Sequence, residues 1–102
     1  MIIYNVTISI DQSEHESWLQ WMKNHHIPNV MQTGCFTHYK ICKILSTQPD
    51  ETGITYAIQY TCNSINDLNQ YQEKFADPLQ KEHSEKYKGK FAAFRTVLEI
   101  ID

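Results

Sequence analysis

Two stretches of strict alternation constrain the fold of this 102-residue chain more than any other feature. In the first, Ile2, Tyr4, Val6, Ile8 and Ile10 share one side, and Ile3, Asn5, Thr7 and Ser9 share the other. In the second, Ile54, Tyr56, Ile58, Tyr60 and Cys62 oppose Thr55, Ala57, Gln59 and Thr61. Successive side chains on a strand point to opposite faces, so each stretch has one apolar face to bury and one that can stay wet. A layer of helices on one side of a sheet meets that demand.

The segments between and after these strands read as helices. Ser13 and Glu16 have the spacing of a capping box. His15, Trp18, Leu19, Met22 and His26 then form a stripe at helical spacing, flanked by Trp21 and His25. Pro28 disfavours helical geometry at Ile27, which predicts a bend or break, and Gly34 suits the stop after one more turn. Cys35 to Leu45 is β-rich with a mixed pattern, and Lys40 suits a sheet edge. Ser46 to Gly53 reads as a polar hairpin loop. Ser64 caps a second helix whose stripe is Ile65, Leu68, Gln72, Phe75, Leu79 and His83. Asp77-Pro78 suggests a restart inside it, and Gly89 ends it. The last strand, Phe91 to Ile101, divides into Ala92, Phe94, Thr96, Leu98 and Ile100, assigned here to the helix-covered face, and Ala93, Arg95, Val97 and Glu99, assigned to the open one. The order βαββαβ predicts an α+β, ferredoxin-like domain over residues 1–102, a four-stranded antiparallel sheet with two helices on one face. A faint internal echo agrees, with Pro28 and Trp21 answered by Pro78 and Tyr71.

Charge narrows the partners. Nine basic against twelve acidic residues give a net charge of −3, which argues against a nucleic-acid or anionic-membrane surface. The first residues read as a strand rather than a signal peptide, and no apolar run is long enough to span a membrane. Cys35, Cys42 and Cys62 lack C-x-x-C spacing and read as free thiols, so a reducing cytoplasm is the expected compartment. The open sheet face, a mixture of small polar and apolar residues, suits sheet-on-sheet packing in a homodimer, in which Arg95 would be enclosed and need a partner.

His26 and His83 fall on the sheet-facing stripes of helices that lie side by side in this fold. Two convergent imidazoles, with Trp18, Met22 and Tyr87 around them, would line a small-molecule pocket between helices and sheet. The competing reading is a pair of partly buried histidines with backbone partners. Metal binding is not expected: no H-x-x-x-H or H-E-x-x-H is present, and adjacent His25 and His26 diverge on a helix. Lys88 to Phe94 superficially resembles the basic-aromatic strand of an RNA-binding module, but it opens the fourth strand rather than the third.

Met1 to Thr7, the run from His26-Ile27-Pro28 to Thr33-Gly34-Cys35-Phe36, Gly53 to Ala57 with Gln59-Tyr60, and Lys90-Phe91 with Phe94-Arg95-Thr96 and Leu98-Glu99 together resemble a small bacterial family, domain of unknown function 4286. The resemblance spans essentially the whole chain and implies a subunit of the dimeric α/β-barrel kind, with no established activity and no cofactor. The wider superfamily includes cofactor-free monooxygenases and haem-degrading enzymes. Asn5 and His83 match two of the haem-degrading positions, but Glu73 stands where a tryptophan belongs, which counts against haem. What the resemblance leaves is cofactor-free oxygenase or isomerase chemistry, with histidine as base and Asn5 or Arg95 as a polar anchor, or a non-catalytic interaction module.

Overall fold

The computed structural model describes residues 1–46 and 51–102. Its strands are β1 (Ile2–Asp11), β2 (His38–Lys43), β3 (Gly53–Cys62) and β4 (Phe91–Glu99). They form one antiparallel sheet in the order β2-β3-β1-β4, the ferredoxin-like arrangement expected from the element order. The alternating stretches take the two central positions, with Val6 opposite Ile58 and Tyr4 opposite Tyr60. β2 is an edge strand, as the lysine pattern suggested. The centre of the expected hairpin loop, residues 47–50, lies outside the described residues, and Gly53 belongs to β3.

The first helical unit comprises a 3-10 turn at Gln12–Glu14, α1 (His15–Trp21), a π turn at Met22–His26 and α2 (Ile27–Gln32). Its start differs from the expected capping box. Asp11 is the cap: its Oδ1 accepts from the Ser13 N–H at 2.9 Å and the Ser13 hydroxyl at 2.8 Å, and these bonds hold its carboxyl below the usual range. The expected break at Pro28 does not occur either. Ile27 stays helical (φ −61, ψ −44), and its N–H bonds back to the Met22 carbonyl, five residues earlier. Pro28 has no N–H to give and its ring crowds the preceding turn; the wider turn absorbs both, a familiar origin of π turns. Gly34 ends the unit at φ +78, the left-handed geometry a helix stop needs.

α3 (Ile65–Lys74) begins with the Ser64 hydroxyl accepting from the Asp67 N–H, as expected. α4 (Ala76–Lys86) follows after a break at Phe75 (φ −126, ψ −28), so the restart precedes Asp77. The proline again sets the position: a continuous helix would ask the Pro78 nitrogen to bond Lys74, and restarting at Ala76 puts Pro78 in a first turn, where no N–H is needed. The buried stripe of this unit is Leu68, Tyr71, Ala76 and His83; Ile65 and Gln72, expected in it, are exposed.

Both units cover the same side of the sheet. Trp18, Met22, Ile27 and Val30 pack with Ile10, Ile58 and Cys62, each of them at most 1 % exposed. At about 1.5–3 kcal/mol per fully buried large apolar side chain, this layer is the main source of stability. One sequence expectation is reversed. Val6 pairs with Arg95 and Tyr4 with Val97, and directly opposed residues share a face. Phe91, Ala93, Arg95, Val97 and Glu99 therefore stand on the helix side, while Phe94 and Leu98, opposite Thr7 and Ile3, stand on the open side.

Candidate functional site

The first helical unit, α4 and the sheet enclose a cleft. Its apolar floor comes from Val6, Ile8 and Ile58, with Val30 and Met22 beside it. Tyr4, Tyr60, Tyr71 and Phe91 contribute rings, and His26, His83, Gln80 and Arg95 contribute polar groups. The empty space is about 440 Å³ with the mouth included, and the centres of water molecules can range over about 30 Å³ of it. A water needs roughly 10–15 Å³ by that measure, so the enclosed part has room for about two or three waters, and an organic ligand would lie largely in the open mouth.

His83 sits about two turns into α4 and is 6 % exposed. The Trp18 indole N–H donates to its Nε2 at 2.9 Å. In the neutral ring this bond places the proton on Nδ1 and leaves an Nδ1–H donor. Phe91 meets the ring edge-on, centroids 4.5 Å apart. His26, the last residue of the π turn, brings its ring to 5.7 Å from that of His83 at 62°. Trp21 stacks on His26 at 5.2 Å and lies 5.8 Å from His83, so the three rings form a triangle, with Lys86 Nζ 5.8 Å from the Trp21 centroid. His26 Nδ1 is the one buried side-chain polar atom without a hydrogen-bond partner among the described residues.

Both imidazoles are held neutral. Burial lowers His26 to about 4, and the neighbouring His83 adds to the effect. Burial lowers His83 to about 4 as well, with the Arg95 charge reinforcing it. Burial pushes the Tyr60 and Tyr71 phenols up, so they stay protonated, although Arg95 opposes the shift at Tyr71. The cleft therefore holds two neutral imidazoles, protonated phenols and one permanent cation.

Of the residues singled out from the sequence, Met22, His26, His83 and Arg95 line this cleft together. Arg95 does so because β4 presents the face opposite to the one assigned from its pattern, which also removes it from the open side. Trp18 and Tyr87 stand behind the wall: Trp18 is fully buried, and Tyr87, 2 % exposed, packs on His83 at 5.7 Å and bonds the Ser17 hydroxyl. Asn5 is not part of the cleft. It shares the open side of β1 with Thr7, to whose hydroxyl its amide donates at 3.0 Å. Tyr4, Tyr60 and Tyr71 were missed as lining residues, although the inward parity of Tyr4 and Tyr60 put phenols where only apolar side chains were needed.

Among the described residues no group of three or more His, Cys, Asp or Glu side chains is placed to hold a metal ion. Cys35, Cys42 and Cys62 are free thiols. Among the described residues no helix is long and apolar enough to cross a membrane.

Solved structures share this architecture at low identity. A dimeric ferredoxin-like protein from an uncultured marine organism matches with a TM-score of 0.65 at 11 % identity, over 100 % of this chain and 96 % of that one. A candidate antibiotic biosynthesis monooxygenase from Nitrosomonas europaea gives 0.67 at 10 % identity, over 100 % of both chains. A protein of the ethyl tert-butyl ether D (EthD) family from Bacillus halodurans gives 0.68 at 12 % identity, over 99 % of this chain and 100 % of that one. At such identities the likeness is one of fold. The sequence matches no curated protein. The profile of one family, Domain of unknown function (DUF4286), matches residues 1–101, and the chain belongs to that family.

Proposed function

We propose that this chain is a single-domain cytoplasmic protein that pairs with a second copy through its open sheet face, and that its cleft receives a small organic molecule. His26 is the proton acceptor and His83 the hydrogen-bond donor, for cofactor-free isomerisation or oxygenation. The observation that carries this reading is the pair of neutral imidazoles 5.7 Å apart in an open cleft, one of them fixed in its tautomer by Trp18. A neutral imidazole can take a proton from a carbon beside a carbonyl, moving the electron pair onto the carbonyl oxygen. The Nδ1–H of His83 and the guanidinium of Arg95 would stabilise that oxygen as charge develops. Return of the proton to a different carbon completes an isomerisation; reaction of the same carbanion with dioxygen would be an oxygenation. The fold-level likeness to a candidate antibiotic biosynthesis monooxygenase supports the class.

Pairing through the open face is supported by Phe94 and Leu98, which are 63 % and 40 % exposed there, and by the likeness to a dimeric ferredoxin-like protein. A rival reading, an interaction module whose aromatic residues only pack, draws on Trp18 and Tyr87, which stand behind the wall. A melting-shift screen with small enolisable ketones and keto acids separates the two. The expected result is a compound that raises the melting temperature of the wild type and not of His26→Leu. A panel with no such compound favours the packing module.

A further inference from the structure

We propose that the cleft selects a small planar organic anion, a carboxylate or an enolate, whose charged oxygens meet Arg95 and whose body lies among the aromatic rings. This rests on the cleft being a small-molecule site and adds the chemical class of its ligand.

Charge is the first argument. Among the described residues no aspartate or glutamate lines the cleft, and the ion pairs among them, His25 with Glu82 and Lys81 with Glu85, leave Arg95 out. The other basic groups on the wall, His26 and His83, are neutral, so the cleft carries one uncompensated positive charge. The carboxylate that acts on His26 is Glu82, which does not line the cleft and is already paired with His25. A guanidinium offers a flat fork of donors that matches a planar oxyanion.

The second argument is the surplus of donors. The Tyr4, Tyr60 and Tyr71 hydroxyls form no hydrogen bond among the described residues, although each of these residues is only 3 % exposed. None of those oxygens is among the sealed, partnerless atoms, so each retains access to open space. The Nδ1–H of His83 adds a further donor. Against these, Gln80 brings the one side-chain amide acceptor on the wall. A neutral ligand would leave Arg95 uncompensated, whereas an anion answers the charge and accepts from the surplus donors together.

The third argument is shape. Tyr4 and Tyr71 lie 5.9 Å apart and His26 and His83 5.7 Å apart, so ring faces and edges border the cleft. Such walls accept a flat conjugated body.

The test is a titration of the full chain followed by the ring resonances of His26 and His83, with benzoate, its neutral isostere benzamide, and inorganic phosphate as probes. Benzoate should bind and raise the titration points of both histidines from about 4 as it offsets Arg95. Arg95→Gln should weaken benzoate by about tenfold or more, the usual scale for a lost charge-assisted pair, and leave benzamide unchanged. Arg95→Lys should recover part of the loss. Arg95 is exposed on an edge strand, so these variants are expected to fold. Equal binding of benzoate and benzamide, or indifference of benzoate to Arg95→Gln, would overturn anion selection while leaving a small-molecule site. Phosphate binding through Arg95 as tightly as benzoate would overturn the planar organic part. Silence of both histidines towards all three probes would overturn this proposal and the small-molecule reading beneath it.

Discussion

Pro28 and Pro78 each interrupt a helical unit that delivers a histidine to the cleft, and the chain accommodates them differently. In the first unit the helix runs on, and the Met22–His26 turn widens to i→i−5 bonding, with His26 as its last residue. In the second the helix stops at Phe75 and restarts, and His83 then lies on a regular stretch. The outcomes for the two imidazoles follow. His83 has its Nε2 satisfied by Trp18, whereas His26 keeps a buried Nδ1 with no partner. A wide turn and a partnerless buried nitrogen are both costly, and their coincidence at one residue suggests a side chain held in place for what it does rather than for stability.

The largest expected effect treats the two rings alike and tests whether both are held neutral. The unfolded chain takes up protons on these rings near pH 6.5, while the folded chain resists until about pH 4. Acidification through that window therefore favours unfolding, and the neutral-ring contribution is lost by about pH 4. Each ring accounts for of order 3 kcal/mol at most, at 1.36 kcal/mol per pKa unit. Denaturant melts should show stability falling as the pH drops from 7 to 4; half the expected loss would mean that one ring titrates normally, and a flat profile that neither is held neutral.

Replacing the rings singly should then separate them in sign. His83→Ala leaves the Trp18 N–H unpaired and opens a void, a loss of about 3 kcal/mol. His26→Leu removes the partnerless Nδ1 and should gain about 1 kcal/mol while abolishing ligand-induced melting shifts. Equal losses at both positions would make the two histidines structural. The smallest effect on stability, within about 0.5 kcal/mol, is expected for Pro28→Ala, which restores an N–H for regular helical bonding. It should nevertheless turn His26 away from the cleft. The check is the His26 titration, which should move from about 4 towards 6.5 while that of His83 stays low.

Much of the architecture was legible because β1 and β3 alternate with only Ile3 and Ala57 out of pattern and so admit one inward face each. β4 was read the wrong way round because both its faces carry apolar residues: Phe91, Ala93 and Val97 on one, Ala92, Phe94 and Leu98 on the other. What chooses between them is the pairing of Val6 with Arg95, a contact between distant segments that one strand's pattern does not encode. The convergence of His26 and His83 was legible from helical spacing, although the spacing assumed a regular turn where the chain has a wide one. Asn5 entered through resemblance, and its parity with Ile3 and Thr7 already set it on the far side of the sheet. The tyrosines were overlooked as site residues because inward-facing phenols look like ordinary core from the pattern alone.

Both indoles in the chain lie against imidazoles, Trp18 bonded to His83 and Trp21 stacked on His26. A charged imidazolium drains the excited state of a neighbouring indole and a neutral one does so far less. The intrinsic fluorescence of this protein should therefore dim when either ring gains a proton. A built-in lamp of this kind reports on events in the cleft without a dye or a label.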